Sequence, residues 1–382
     1  MSEPKRTIHI SLPSTGEAEW NAVRAPIESG WLTQGPKVAE FEKSFAERHQ
    51  VTHALATTSC TTALHLALAA AGIGPGDEVI VPAFTWVATA NVVLYCGAIP
   101  VLVDVLRDTC NIDPADVARK LSEKTKAIIP VHLFGLCAEM DELKAILPEH
   151  VTIIEDAACA AGASYRGVPA GGLGDMAAFS FHPRKSITTG EGGMLTSNNT
   201  TLSETANMLR NHGASLSEEQ RHQGPRPYLL PDFNLLGFNY RMTDLQGAVG
   251  IVQLKKLDHF IEERAKWAGW YREQLNEIDW LTCPKEPESG RHAWQAFVTY
   301  VDPEKAPMPR NEIMDILQQK GIATRPGTHA VHMLSYYAER FGYKPEDFPG
   351  ARDCDVQTMA IPLHNRMSHE DYTYVVETIK NV

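Results

Sequence analysis

From about residue 36 the chain alternates short runs rich in Val and Ile with segments whose apolar residues recur at helical spacing. The strand-like runs are "THALATT", "DEVIVP", "IPVLVD", "TKAIIPVHL" and "VTIIED". They are interleaved with the helical patterns "PKVAEFEKSFAERH", "TTALHLALAAAG", "TWVATANVVLYCG" and "MDELKAIL". The runs are continuously apolar rather than alternating, which suits strands covered on both faces and therefore a largely parallel sheet in an α/β domain. Ligands of such sheets bind beyond the carboxyl ends of the strands, so the residues just after each run carry the functional information.

A chain of 382 residues exceeds what one core usually serves. The pattern changes after residue 210, where a long polar, Pro-containing loop precedes a helix expected over 243–275, opened by Thr243 as N-cap. A smaller mixed segment follows from about 290. Two domains are expected, 1–255 holding the ligand and 256–382 forming a smaller C-terminal unit.

The chain carries 47 acidic and 35 basic residues, a net charge of −12, which disfavours a nucleic-acid partner. Its seven cysteines are scattered and never spaced as C-x-x-C, which argues against a zinc site or a disulfide framework and for a cytoplasmic protein. No metal is expected. Nor is a signal peptide or a bilayer-spanning run visible, so no membrane partner is expected.

The strand ends repay inspection one by one. "VTIIED" closes on Asp156, and "FSFHPRKSITTGEGG" stops a short strand at Ser180 and presents Lys185 before a Gly-rich turn. Ser59, Cys60 and Thr61 stand where a strand hands over to a helix, a position that suits helix capping and equally suits a phosphate. Trp86 lies just inside another helix start. Taken singly, Asp156 reads as a solvated cap, Lys185 as a surface cation and Trp86 as a core aromatic. Together they supply an amine, an acid, a phosphate cradle and an aromatic plate. One cofactor needs that set: pyridoxal 5′-phosphate (PLP), whose aldehyde takes a lysine and whose ring nitrogen takes a carboxylate.

The stretches "SGWLTQGPKVAEFE", "TTALHLALAAAGIGPGDEVIVPAFTWVATAN", "PVLVDV", "PVHLFG", "EDAA", "FSFHPRKSITTGEGGM" and "GFNYRMTDLQGAVGIVQL" occur in one order along nearly the whole chain. In these it resembles the DegT/DnrJ/EryC1/StrS family of PLP-dependent nucleotide-sugar aminotransferases. The resemblance implies an aspartate aminotransferase-like (fold type I) fold, with a large, mostly parallel-sheet domain and a smaller C-terminal α/β domain. It implies that Lys185 bonds to the cofactor and moves the proton, that Asp156 pairs with the ring nitrogen, and that Trp86 stacks on the ring. Ser59, Cys60, Thr61 and Ser180 would hold the phosphate. Asn239 would reach it from the other subunit of a homodimer with shared sites.

Three features depart from the family pattern. Cys60 stands where Gly is frequent, and Cys159 where Gln or His often meets the cofactor. Gly327 and Thr328 replace a frequent His-Tyr pair, although His332 remains. His329 and Arg241 are candidate substrate contacts, with Arg226 a further candidate for the phosphates of the nucleotide.

The implied activity moves an amino group from L-glutamate to a nucleotide-linked keto-sugar, for surface polysaccharide (lipopolysaccharide) or glycan biosynthesis. Members acting at the 4-position tend to read "ITTGEGG" after the lysine, as here, so a 4-keto-6-deoxy sugar and a 4-amino product are expected. A 3-keto sugar or a keto-cyclitol is the alternative acceptor. A dehydratase would carry histidine in place of Lys185, and a scaffold protein would have no need of the Lys185–Asp156 pair.

Overall fold

The computed structural model describes residues 7–215, 224–226, 228–287 and 290–382. Of the long loop expected after residue 210, positions 216–223 and 227 lie outside these described residues. A seven-stranded sheet dominates the fold, in the spatial order His53–Thr57, Gly193–Ser197, Met176–Ser180, Thr152–Asp156, Thr125–Ile128, Glu78–Pro82, Ile99–Val103. Gly193–Ser197 runs antiparallel to both its neighbours, and the remaining pairings are parallel. The expected type I arrangement is therefore present, with six strands directing their carboxyl ends to one edge.

Both faces of this sheet are covered. Val79, Val81, Ile154 and Ala178 point to one core with the helices Cys60–Ala70, Ala88–Tyr95 and Thr200–Arg210. Ile80, Ile153, Ala177 and Phe179 point to the other, against Pro36–His49, Met140–Ile146 and the first half of Asp244–Leu275. Alternate residues of each strand serve opposite cores, which is why the runs are apolar at every position. Burying one such Val or Ile contributes about 1.5–3 kcal/mol.

The helix expected over 243–275 is Asp244–Leu275, and Thr243 caps it reciprocally with Gln246. Asp244 also caps a second helix, accepting from the amides of Lys37 (3.1 Å) and Val38 (2.9 Å). The expected boundary at 255/256 falls inside this continuous helix. Ile251, Leu254, Leu257 and Ile261 pack against the large sheet, whereas Ala268, Tyr271 and Leu275 join a third core. That core covers a three-stranded antiparallel sheet of Leu281–Thr282, Phe297–Val301 and Thr358–Ile361. Ile8 from the N-terminal segment packs there too, bridging to Ile322.

The Gly-rich turn after Lys185 is explained by close backbone approach. A Cβ on Gly193 would stand 2.4 Å from the carbonyl carbon of Ser59 and 2.6 Å from the amide nitrogen of Cys60. Neither main-chain atom can swing aside. Gly193→Ala should therefore cost about 1–3 kcal/mol or more and displace the start of the Cys60–Ala70 helix. A lowered unfolding temperature is the expected reading in a thermal melt, and an unchanged one would contradict the packing described.

Candidate active site

The loops after the parallel strands and a segment from the C-terminal part enclose a cleft of about 640 Å³. Ser59, Cys60, Thr61, Trp86, Asp156, Ser180, Lys185 and His329 all line it, although they come from five separate stretches of chain. Asn239 and Arg241 are not on its wall. Asn239 is exposed, and its main chain bridges to Asn211. Arg241 Nη1 donates to Asn211 Oδ1 at 2.8 Å. Arg226 is exposed and likewise off the wall.

Asp156 ends its strand almost wholly buried. Thr89 Oγ1 donates to its Oδ2 at 2.8 Å, and the Ala158 amide to its Oδ1 at 3.1 Å. No cation bonds to it directly among the described residues. Burial holds its carboxyl above the usual carboxylate range, opposed by the Thr89 and Ala158 hydrogen bonds and by the charges of Lys185 and His132. The neighbouring Glu155 is fully buried and tied down. Its oxygens accept from the amides of Gly171, Leu173 and Gly174 at 2.7–2.8 Å and meet His132 Nε2 at 3.0 Å.

Lys185 belongs to a compact excursion between the Met176–Ser180 and Gly193–Ser197 strands. Phe181 and Gly192 close its base, and the Lys185 amide donates to the His182 carbonyl at 2.8 Å. The Lys185 Nζ donates to Cys159 Sγ at 3.1 Å. Cys159, which stands where Gln or His often meets the cofactor, thus accepts from the lysine amine. Cys60 turns inward, with Sγ 3.5 Å from the Ala178 carbonyl and 4.0 Å from Asp156 Oδ1. Burial and Asp156 push its thiol well up, so it stays protonated.

Ser59 caps the Cys60–Ala70 helix, its Oγ accepting from the Thr62 amide at 3.1 Å, so the capping reading holds for that side chain. The amides of Cys60 and Thr61 open the helix and have no acceptor within it, as an anion site requires. Trp86 is 56% exposed and meets His329 edge-on, with ring centroids 5.5 Å apart. His329 is held there by pairing with Thr85. It is an exposed residue of the rim rather than a buried structural histidine, whereas His332 is buried and off the wall.

Sequence reading missed Thr89, Gln295, Arg184 and Arg325. Thr89 lies one helical turn beyond Trp86, and that spacing was the only signal for it.

The wall suits PLP. Asp156 is a buried carboxylate without a bonded cation, which fits a protonated ring nitrogen. Lys185 supplies an amine, and the helix start supplies free amides for a phosphate. Without the cofactor the Asp156 charge opposes folding: its folded-state pKa lies above the unfolded value, so the penalty is present above the unfolded pKa and vanishes below it. Asp156→Asn should therefore raise the unfolding temperature of the cofactor-free protein near pH 7, with the gain shrinking towards about pH 4. A loss of stability near pH 7 would contradict this.

Comparison with known proteins agrees with the geometry. Residues 13–380 match the model of the DegT/DnrJ/EryC1/StrS aminotransferase family. The spore coat polysaccharide biosynthesis protein SpsC of Bacillus subtilis is 40% identical over 97% of this chain and 96% of its own. GDP-perosamine synthase of Caulobacter vibrioides is 39% identical over 98% of both chains. The protein Spr1654 of Streptococcus pneumoniae, solved in its PMP-form, superposes with a TM-score of 0.91 at 29% identity, over 98% of this chain and 97% of its own. Its PLP-form gives 0.90. The chain belongs to the DegT/DnrJ/EryC1/StrS aminotransferase family and is a PLP-dependent sugar aminotransferase.

Proposed function

We propose that this enzyme transfers the amino group of L-glutamate to the 4-keto carbon of a nucleotide-linked 6-deoxy sugar, giving a 4-amino sugar for a surface polysaccharide or glycan. The observation that carries the reading is the run "SITTGEGG" after Lys185, with His182 before it, on a chain 39% identical to GDP-perosamine synthase. The cleft volume of about 640 Å³ is of the size that takes a cofactor or small molecule. All seven cysteines are free thiols, which supports a reducing, cytoplasmic setting. No described helix is long and apolar enough to cross a membrane.

PLP supplies an electron sink for bonds at the amine-bearing carbon. Asp156, fixed by Thr89 and Ala158, provides the negative charge that keeps a ring nitrogen protonated. The amides of Cys60 and Thr61, with Ser180, would hold the phosphate. Lys185 Nζ would move a proton between the amine-bearing carbon of the substrate and the cofactor carbon that takes up the amine, and the Cys159 sulfur, which accepts from it, would orient it. Trp86, on the cleft wall, would stack on the cofactor ring, and His329 beside it would face the sugar.

We further propose a homodimer in which Asn239 serves the partner's site. Asn239 is exposed and off its own cleft wall, and the nearby Tyr228, Leu230, Phe233 and Leu236 are 60–95% exposed. So large an apolar surface calls for a cover.

Two measurements test these readings. Incubation with glutamate and nucleotide-linked keto-sugars, with the product structure solved by NMR, should give an amine at the 4-position. An amine at the 3-position, or no turnover of any 4-keto sugar, would refute the acceptor. Hybrids of Lys185→Ala and Asn239→Ala chains should regain activity through one intact site, and hybrids of known stoichiometry that stay inactive would return Asn239 to its own chain.

A further inference from the structure

The side chain of Asn239 is exposed and bonds to no described residue. Its main chain, by contrast, is tied on both sides. On one side the Phe238 amide donates to the Leu209 carbonyl at 2.6 Å, the Tyr240 amide to the Arg210 carbonyl at 2.9 Å, and the His212 amide to the Phe238 carbonyl at 2.8 Å. On the other the Thr58 amide donates to the Tyr240 carbonyl at 3.1 Å, and Arg241 bridges to Thr57. The segment is thus laid between the end of the helix Thr200–Arg210 and the end of the strand His53–Thr57.

The aromatic residues on either side of Asn239 turn inward. Phe238 and Tyr240 stack within 9° of parallel, with ring centroids 4.9 Å apart. His65 is buried beneath them. Its Nδ1 is 2.9 Å from the Tyr240 hydroxyl, and its ring centroid is 4.8 Å from that of Phe238. Alternate side chains of an extended segment take opposite sides, so turning Phe238 and Tyr240 in turns Asn239 out.

Burial lowers the pKa of the His65 imidazole and raises that of the Tyr240 phenol, so the bond joins two neutral groups near pH 7. Two apolar rings would fill the same space. The polar pair adds one preferred setting, because a buried imidazole left without its partner costs more than the bond itself gives. His65 also belongs to the helix Cys60–Ala70, whose start lines the cleft. One helix therefore meets both its own cleft and the segment that carries Asn239.

We propose that His65 and Tyr240 are positioning residues whose hydrogen bond holds Asn239 at the phosphate position of the partner's site. This rests on the cross-subunit role of Asn239 read above.

The test titrates the cofactor-free, full-length protein with PLP and, separately, with pyridoxal, which lacks the phosphate, following binding by absorbance. Asn239→Ala and Tyr240→Phe, which keeps the ring and removes the hydroxyl, should each weaken PLP about 10-fold and leave pyridoxal unchanged. His65→Leu should match Tyr240→Phe, and His65→Gln, which keeps a hydrogen-bonding group, should recover part of the loss. In the Asn239→Ala background Tyr240→Phe should weaken PLP no further. In hybrids of known stoichiometry the loss should appear at the intact Lys185 when Tyr240→Phe is on the Lys185→Ala chain, and vanish when it is on the other. Undiminished PLP binding by Tyr240→Phe, an equal loss for both ligands, or a full further loss in the Asn239→Ala background would make the pair general packing and overturn the inference. Asn239→Ala that binds PLP as the wild type does, or hybrids that behave the opposite way, would instead defeat the shared-site reading, and this inference with it.

Discussion

A carboxylate buried with two hydrogen bonds and no bonded cation is the constraint around which this cleft is organised. Asp156 lines the cleft almost wholly buried, and no cation among the described residues bonds to it. Thr89 and the Ala158 amide fix its two oxygens. Lys185 acts on it as a charge in the same cleft rather than as a hydrogen-bond partner, because its amine is bonded to Cys159. A cationic ring nitrogen bound beside it would supply the counter-charge that the described residues do not.

The scaffold holds this strained charge by rigidity at its back. Glu155, one residue earlier and facing the opposite way, is fully hydrogen-bonded to the 171–174 turn and to His132. It anchors the strand end from the other side of the sheet. Gly193 lets the antiparallel strand press against Ser59 and Cys60, setting the start of the Cys60–Ala70 helix directly beside the lysine excursion. The C-terminal segment reaches the cleft through the His329–Thr85 pairing, so the wall is built from distant parts of the chain.

Much of this was legible in the sequence because burial on both faces leaves a simple mark. The apolar runs from His53 to Asp156 and the helix opened by Thr243 fall where the pattern places them. The strand Gly193–Ser197 was not legible. It follows a glycine turn and contains Thr196 and Ser197, whose hydroxyls are satisfied by the carbonyls of Gly171 and Asp175, contacts that only the fold creates. At the site, residues fixed by strand ends could be read locally, as with Asp156, Lys185 and Trp86. Thr89 and Arg325 could not, since their meaning depends on what they face across the cleft. Arg241 and Arg226 show the converse: charge near a motif does not place a side chain on the wall.

The central claim is that the strand-end excursion exists to hold Lys185 on the cofactor opposite Asp156. Borohydride reduction of the yellow holoenzyme, followed by digestion and mass mapping, tests it most directly. The account predicts a single cofactor-labelled peptide carrying Lys185, and no label in Lys185→Ala. A label on any other lysine of the wild-type chain would contradict it.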